Sequence, residues 1–227
     1  MTAIFITATG TDVGKTYVAA SLIRHLRRMG HLVDAIKPVV SGFDPAHAAL
    51  SDPGILLHAL GLPVTLPEID RISPWRFAAP LSPDIAAERE GRSIDVESVV
   101  SFCRTAIDQR RDILLIEGVG GVMVPLDAEH TILDVMMALR VPLILVAGSY
   151  LGTISHTLTA LDALYQRELK VLAVIVSETP GSTVPLDDVV VSIARFAAPV
   201  IGLPRQSDSQ SGKPGHSAAA LDRIFGS

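Results

Sequence analysis

Short apolar runs alternate with stretches of helical periodicity from one end of the chain to the other. The runs at 3–7, 32–36, 113–116, 142–147, 172–176 and 199–201 have the length of buried strands. Between the first two, Val18, Leu22, Leu26 and Met29 recur at helical spacing, while Arg24, Arg27 and Arg28 fill other positions. Gly30 then supplies a C-terminal stop. A strand, a helix and a further strand, repeated, predict an α/β fold with a mainly parallel sheet and helices on both of its faces. The segment 40–91 breaks this rhythm, because it holds many of the prolines and few long periodic stretches. It reads as a long functional excursion with one or two short helices, lying near the substrate. Beyond it the pattern resumes, so one domain is expected over 1–205. The tail 206–227 opens with a run rich in Ser, Gly and Gln and is expected to be mobile, with a closing helical turn or two at 218–224.

Composition narrows the setting. Hydrophobic residues make up 48% of the 227, ample for a continuous core. The longest apolar stretches, 141–147 and 171–176, fall far short of the ~20 residues that span a bilayer, so no membrane role is expected. Met1 leads directly into a strand pattern, which leaves no room for an export signal. The single cysteine, Cys103, sits among Val96, Val99, Val100 and Ile107 at helical spacing and reads as a buried thiol. A cytoplasmic protein follows. A net charge of −5, with 19 Lys and Arg scattered along the chain, argues against a nucleic-acid surface. A small-molecule substrate is the better expectation.

The chemistry begins after the first strand, with A-T-G-T-D-V-G-K-T at 8–16, where an amphipathic helix opens. Triphosphate binding needs inward N–H groups, a helix N-terminus, a lysine and a hydroxyl for a metal. Gly10, Gly14, Lys15 and Thr16 supply them, which predicts a P-loop NTPase. The usual pattern places its first glycine where this chain has Thr9. Glu117 follows the run 113–116, at the carboxyl end of an expected parallel strand, where open α/β sheets bind ligands.

The loop resembles that of the dethiobiotin synthetases, G-T-x-T-x-V-G-K-T, at Thr9, Thr11, Val13, Gly14, Lys15 and Thr16, and departs from it at Ala8, usually glycine. Lys37-Pro38-Val39 with Ser41-Gly42 resembles the family's second signature, and Ser51-Asp52 its metal-binding aspartate. Pro80-Leu81-Ser82-Pro83 with Ala86-Ala87, and Glu117-Gly118-Val119-Gly120-Gly121, are similar to its substrate loop and its E-G-A-G-G turn. The segment 151–156 looks like its L-G-x-I-N-H, with Ser155 in place of asparagine. The matches run in order to about Ser177, then fade to Gly202-Leu203-Pro204.

The resemblance implies an ATP- and magnesium-dependent ring closure of 7,8-diaminononanoate with CO2, through a carbamate and its mixed anhydride with phosphate. It carries catalytic roles to Lys37, Lys15 and Thr11. Nucleotide contacts would come from Asp12, Val13, Gly14, Lys15, Thr16, Tyr17, Asp52, Glu117, Gly118, Val119, Gly120, Ser177, Glu178 and Pro204. Ser41, Gly152, Thr153 and Ser155 would bind substrate, the last three from the neighbouring subunit of a homodimer. Thr16, Asp52 and Glu117 would hold Mg2+, an all-oxygen set of the kind this ion takes. After the strand at 172–176 many relatives carry an asparagine that pairs with adenine; here Ser177-Glu178 follows, which predicts loose selectivity among nucleoside triphosphates. His130 and His156 read as helix-end or polar-face residues, and Trp75 and Arg76 as packing anchors.

Three other readings remain. A partitioning or metal-cluster-loading ATPase usually carries an early signature lysine where this chain has Gly10. A cobyric-acid-type amide synthetase normally adds a glutaminase domain with a nucleophilic cysteine. A low-activity binding relative is the reading that Ala8 and Ser155 leave open.

Overall fold

A computed structural model describes residues 2–197 and 199–205. The expected tail at 206–227, with its closing turn, lies outside the described residues. The six expected strands are all present: β1 (Thr2–Ala8), β2 (Val33–Ile36), β5 (Ile113–Glu117), β6 (Leu143–Gly148), β7 (Val171–Ser177) and β8 (Val200–Leu203). They form one sheet in the order β2-β5-β1-β6-β7-β8, and every neighbouring pair runs parallel. β5 and β6 are buried along their whole length, as a strand covered on both faces must be.

The chain leaves β1 through α1 (Lys15–Arg28) towards one edge of the sheet, and later crosses from β5 through α6 (Ile132–Leu139) to β6 on the other side of β1. Right-handed crossovers therefore put α1 and α2 (Asp52–Leu60) on one face. They put α5 (Val96–Gln109), α6, α7 (Thr153–Tyr165) and α8 (Leu186–Ile193) on the other. Packing of α1 on α2, α5 on α6 and α7 on α8 agrees with this. The direction of winding reverses between β1 and β5. Loops leaving their carboxyl ends diverge, and the crevice between them is where such sheets bind ligands.

The segment 40–91 is more ordered than its composition suggests. It contains β3 (Val39–Ser41) pairing in parallel with β4 (Trp75–Phe77), a 3₁₀ turn (Pro45–Leu50), and α2, α3 (Leu66–Ile72) and α4 (Pro83–Arg89). The expectation of one or two short helices is corrected to three and a turn. The reason lies in the prolines: Pro45, Pro53, Pro67 and Pro83 each stand in the first turn, where a missing N–H costs nothing and the fixed φ suits the helix. Ser51 caps α2 and Thr65 caps α3 through their side chains. α2 is then fastened to α1 by buried Leu56 and Leu57 and by Arg27, which donates to the Ala59 carbonyl at 2.9 Å. Each such buried leucine contributes about 1.5–3 kcal/mol. This packing fixes Asp52, the first residue of α2, over the carboxyl end of the sheet.

Trp75 and Arg76 do act as packing anchors. Trp75 meets Phe102 edge to face, and the Arg76 guanidinium lies 5.1 Å from the centre of the Phe43 ring. Cys103 is fully buried, which pushes its thiol pKa up to about 12, so it has no nucleophilic character.

Candidate active site

β1 ends at Ala8, whose methyl is wholly buried and whose backbone is in register with Val146. The methyl that replaces the usual glycine is accommodated inside the sheet, beside β6. Asp12 (φ 58°) and Gly14 (φ 96°) then take left-handed conformations, and Gly14 opens α1. Only glycine suits the second position, because a Cβ there would come within 2.6 Å of Ser177 Oγ. From β5, the turn after Glu117 packs against the loop so closely that a Cβ on Gly121 would lie 3.2 Å from Gly10 backbone atoms.

These two turns bring five functional groups together. Lys15 Nζ donates to the carbonyls of Gly120 at 2.7 Å and Gly10 at 3.3 Å. Thr16 Oγ1 donates to Glu117 Oε1 at 2.6 Å, and Lys37 Nζ donates to the same oxygen at 2.6 Å. Lys37, just beyond β2, also donates to Asp52 Oδ2 and so joins the two carboxylates. Its side chain is 4% exposed and that of Glu117 is 1% exposed, against 42% for Asp52. The ammonium is thus buried, with its charge balanced from below by Glu117 and from the solvent side by Asp52.

The charges follow from these positions. Burial opposes the charged form of Lys37, but the nearby Glu117 and Asp52 outweigh it and raise its pKa. Asp52 behaves as the mirror image: desolvation is overcome by the Lys37 charge and by hydrogen bonds from Lys37 and Thr16, and its pKa is lowered. Lys15 is lowered to about 8, first by burial and then by repulsion from Lys37, with Glu117, Asp52 and Asp12 only partly compensating. An arriving polyanion would relieve that strain directly.

The cluster stands at one end of a cavity of about 990 Å³. Thr11, Asp12, Gly14, Lys15, Thr16, Tyr17, Lys37, Ser41, Asp52, Val119 and Gly120 all line it, as do Pro80, Leu81, Ser82 and Pro83. Val13 instead points into the core, and Gly118 lies beneath the wall, where a Cβ would strike Phe5. Beside the phosphate loop, Tyr17 donates to the Pro204 carbonyl at 3.0 Å, and Ser177, which a Cβ on Gly14 would meet, ends β7 beside Leu203 of β8. Glu178 accepts from the N–H of Arg205 at 2.8 Å. Arg205 lines the cavity and escaped the sequence reading, although its place directly after Gly202-Leu203-Pro204 and beside Ser177 was a usable signal.

Gly152, Thr153 and Ser155 do not line this cavity; they open α7, with Gly152 (φ 94°) at its N-cap. Thr153 is buried, its hydroxyl donating to the Gly148 carbonyl and its N–H to that of Tyr150. Leu151 beside it is 91% exposed. His156 meets the Tyr150 hydroxyl at 2.9 Å and His130 meets Asp127 at 3.0 Å, which are helix-end roles.

The donor set suits a hard divalent cation: the Thr16 hydroxyl and the Asp52 and Glu117 carboxylates offer oxygen only. Glu117 Oε2 is buried without a hydrogen-bond partner among the described residues, an acceptor left for something else to satisfy. Among the described residues no cluster of three or more His, Cys, Asp or Glu is placed to hold a metal, so any ion here would complete its shell with waters or phosphate. No described helix is long and apolar enough to cross a membrane.

Residues 2–210 match the AAA-domain family. The ATP-dependent dethiobiotin synthetase BioD of Methylobacterium nodulans is 50% identical over 203 residues, covering 87% of this chain and 90% of that protein. The enzyme of the same name from Caulobacter sp. is 48% identical over 215 residues, covering 93% of this chain and 92% of its own. Among solved structures, a chain of the MinC:MinD cell division protein complex of Aquifex aeolicus superposes with a TM-score of 0.55 at 14% identity, covering 99% of this chain and 93% of that one. A ParA family ATPase from Chlorobium tepidum gives 0.53 at 16% identity, covering 99% and 90%. At such low identity these structures share the fold alone: a single α/β domain of the P-loop NTPase type.

Proposed function

Because the chain belongs to the family of the ATP-dependent dethiobiotin synthetases, we propose that it closes the ureido ring of 7,8-diaminononanoate with CO2 at the expense of a nucleoside triphosphate. One amine of the substrate adds to CO2 and loses a proton, giving a carbamate. A carbamate oxygen then attacks the γ-phosphorus and the nucleoside diphosphate leaves, forming a carbamic-phosphoric anhydride. The second amine attacks the carbamate carbon, phosphate departs, and the ring is closed.

The obstacle is the approach of two anions. At contact distance they repel by about 4 kcal/mol even at an effective dielectric near 20. The observation that carries the reading is the buried Lys37 ammonium, held between Asp52 and Glu117 at the same end of the cavity as Lys15 and Thr16. Lys15 would leave its carbonyl contacts for the β- and γ-phosphates, while Lys37 faces the carbamate oxygens with its charge already desolvated. Such preorganised cations are worth more than the same charges in water, since no solvent must reorganise during the reaction. Thr11 would close the loop side of the pocket. Thr16, Asp52 and Glu117 would hold Mg2+, which supplies charge neutralisation on the phosphates when bound.

Ser41, at the end of β3, would contact the diamine from this subunit. The opening of α7, with Gly152, Thr153 and Ser155, would receive the substrate carboxylate of a neighbouring subunit; its separation from the cavity supports a homodimer with interface sites. A cytoplasmic location fits this substrate.

A nucleotide-switched ATPase is less well supported, since Gly10 stands where those proteins carry a lysine. A binding relative without turnover loses the support of Ala8, whose methyl is accommodated in the sheet. Release of ADP from magnesium ATP, measured with and without the diamine and bicarbonate, separates these readings. Release that depends on both substrates is expected; diamine-independent hydrolysis, or none, would refute the synthetase.

A further inference from the structure

Next to the Lys37–Glu117 pair lies a second, internal space. Phe5 of β1, Val99 and Cys103 of α5, and Ile132 and Val135 of α6 line it on the side of the core. Pro38, Glu117, Gly118 and Val119 complete its wall. All of these residues are buried, and only apolar atoms face the space. It offers about 10 Å³ to the centre of a water-sized molecule, room for one small guest. A buried water needs several polar partners, and here it would find none. The space is therefore a dry void, of the kind that takes up small apolar guests such as xenon. Its place in the fold gives it meaning. Pro38 follows Lys37 directly, and Glu117 is the carboxylate that accepts from Lys37 and Thr16. Val119 lines both the void and the large cavity that holds Lys15, Lys37 and Ser41. One residue is thus common to an apolar chamber and to the place where a substrate amine would stand.

We propose that this void is the docking site for CO2, which leaves it past Val119 to meet the substrate amine. The inference rests on the synthetase reading above. CO2 is linear, uncharged and without a dipole, so it gives up little hydration on entering an apolar space. Two C=O bonds laid end to end span about 2.4 Å, close to the width of the room available. Bicarbonate differs in the one property that matters. It is an anion, and burying an unpaired anion is prohibitive, the more so beside the Glu117 carboxylate. The void therefore selects the dehydrated form, which is the electrophile to which an amine adds, and keeps it from water until the amine is in place. A guest of three heavy atoms binds weakly at best. Its gain is a raised local concentration next to the reacting nitrogen, where position counts for more than affinity.

Xenon is the probe, because it fills apolar voids and reacts with nothing. The ¹²⁹Xe NMR signal should shift on addition of the native protein, and CO2 added at constant pH should reverse the shift by displacement. Val99→Ile, which puts an extra methyl group into the void, should abolish the shift, whereas Val99→Ala, which enlarges the void, should keep it. Initial rates are then measured for the same proteins at saturating magnesium ATP and diamine while dissolved CO2 is varied. Val99→Ile should raise KM for CO2 by at least about tenfold, the effect of one methylene in a small apolar pocket. Its kcat at saturating CO2 and its KM for diamine and nucleotide should stay as in the native protein. An unchanged melting temperature shows that each variant is folded, and Val135→Ile fills the same void from α6 if Val99→Ile does not fold. A xenon shift that CO2 leaves untouched would overturn the proposal. So would a folded, filled variant whose KM for CO2 equals the native value, which would reduce the void to a packing defect. Failure of the synthetase reading looks different: CO2 still displaces xenon, but no ring product forms.

Discussion

The two ends of the cavity are built on different principles. At the phosphate end, Lys37 and Glu117 are buried, charged and mutually dependent, and they are joined to Asp52 and Thr16 by contacts that span 15 to 101 residues of chain. Beside the ends of β7 and β8, Arg205 and Glu178 meet near the surface through contacts spanning 27 residues, close to a Ser177 hydroxyl with no hydrogen-bond partner among the described residues. A buried ionic cluster locks its own geometry, since removing one member strands another in a medium that cannot solvate it. A surface assembly adjusts. The first end should define the reaction, and the second only how strictly the nucleotide is chosen.

The largest expected effect comes from removing the ion that holds the first end together. Lys37→Ala leaves Glu117 buried without its cation, a change that costs about 3–5 kcal/mol of stability. It also lowers turnover by at least about 10²-fold. The double variant Lys37→Ala/Glu117→Gln should recover most of the stability but none of the turnover. Chemical denaturation beside rate measurements decides this; recovery of both would make Lys37 a structural residue only.

Lys15→Ala should act on affinity first. One charge-assisted contact contributes about 1.5–3 kcal/mol, so binding of an ATP analogue should weaken by about ten- to a hundredfold. Calorimetric titration checks it, and an equal loss in Lys37→Ala would erase the distinction between the two lysines. Asp52→Asn, at a half-exposed position, should leave the fold intact but raise the magnesium concentration needed for half-maximal rate several-fold. An unchanged requirement would remove Asp52 from the metal set.

Ser177→Ala marks the small end of the scale. Its hydroxyl has no hydrogen-bond partner among the described residues, so losing it should change stability by less than about 1 kcal/mol in either direction. Thermal denaturation without nucleotide is the check. A large loss would show that the base end is as rigid as the phosphate end.

The same contrast explains what could be read from the sequence. The strands and the phosphate loop were legible because burial on both faces and anion binding each demand a narrow set of residues: β5 had to be apolar throughout, and Gly14 had to be glycine. The helices of 40–91 were not, because their prolines look the same whether they interrupt a helix or begin one; only the caps at Ser51 and Thr65 distinguish the cases. Lys37 was legible by resemblance, yet nothing along the chain revealed that its charge is balanced from two sides. Arg205 stayed hidden for a further reason. Its partners are Tyr17 and Glu178, far apart in the chain: pairing of β7 with β8 brings Glu178 to it, and the first turn of α1 brings Tyr17.

The central claim is that this site forms a ureido ring. Purified protein is incubated with magnesium ATP, 7,8-diaminononanoate and ¹³C-labelled bicarbonate, and the products are resolved by mass. The account predicts dethiobiotin carrying one labelled carbon, formed in equal amount to the ADP released, and abolished in Lys37→Ala/Glu117→Gln even though that variant is folded. ADP release without labelled product, or labelled product undiminished in the double variant, would contradict it.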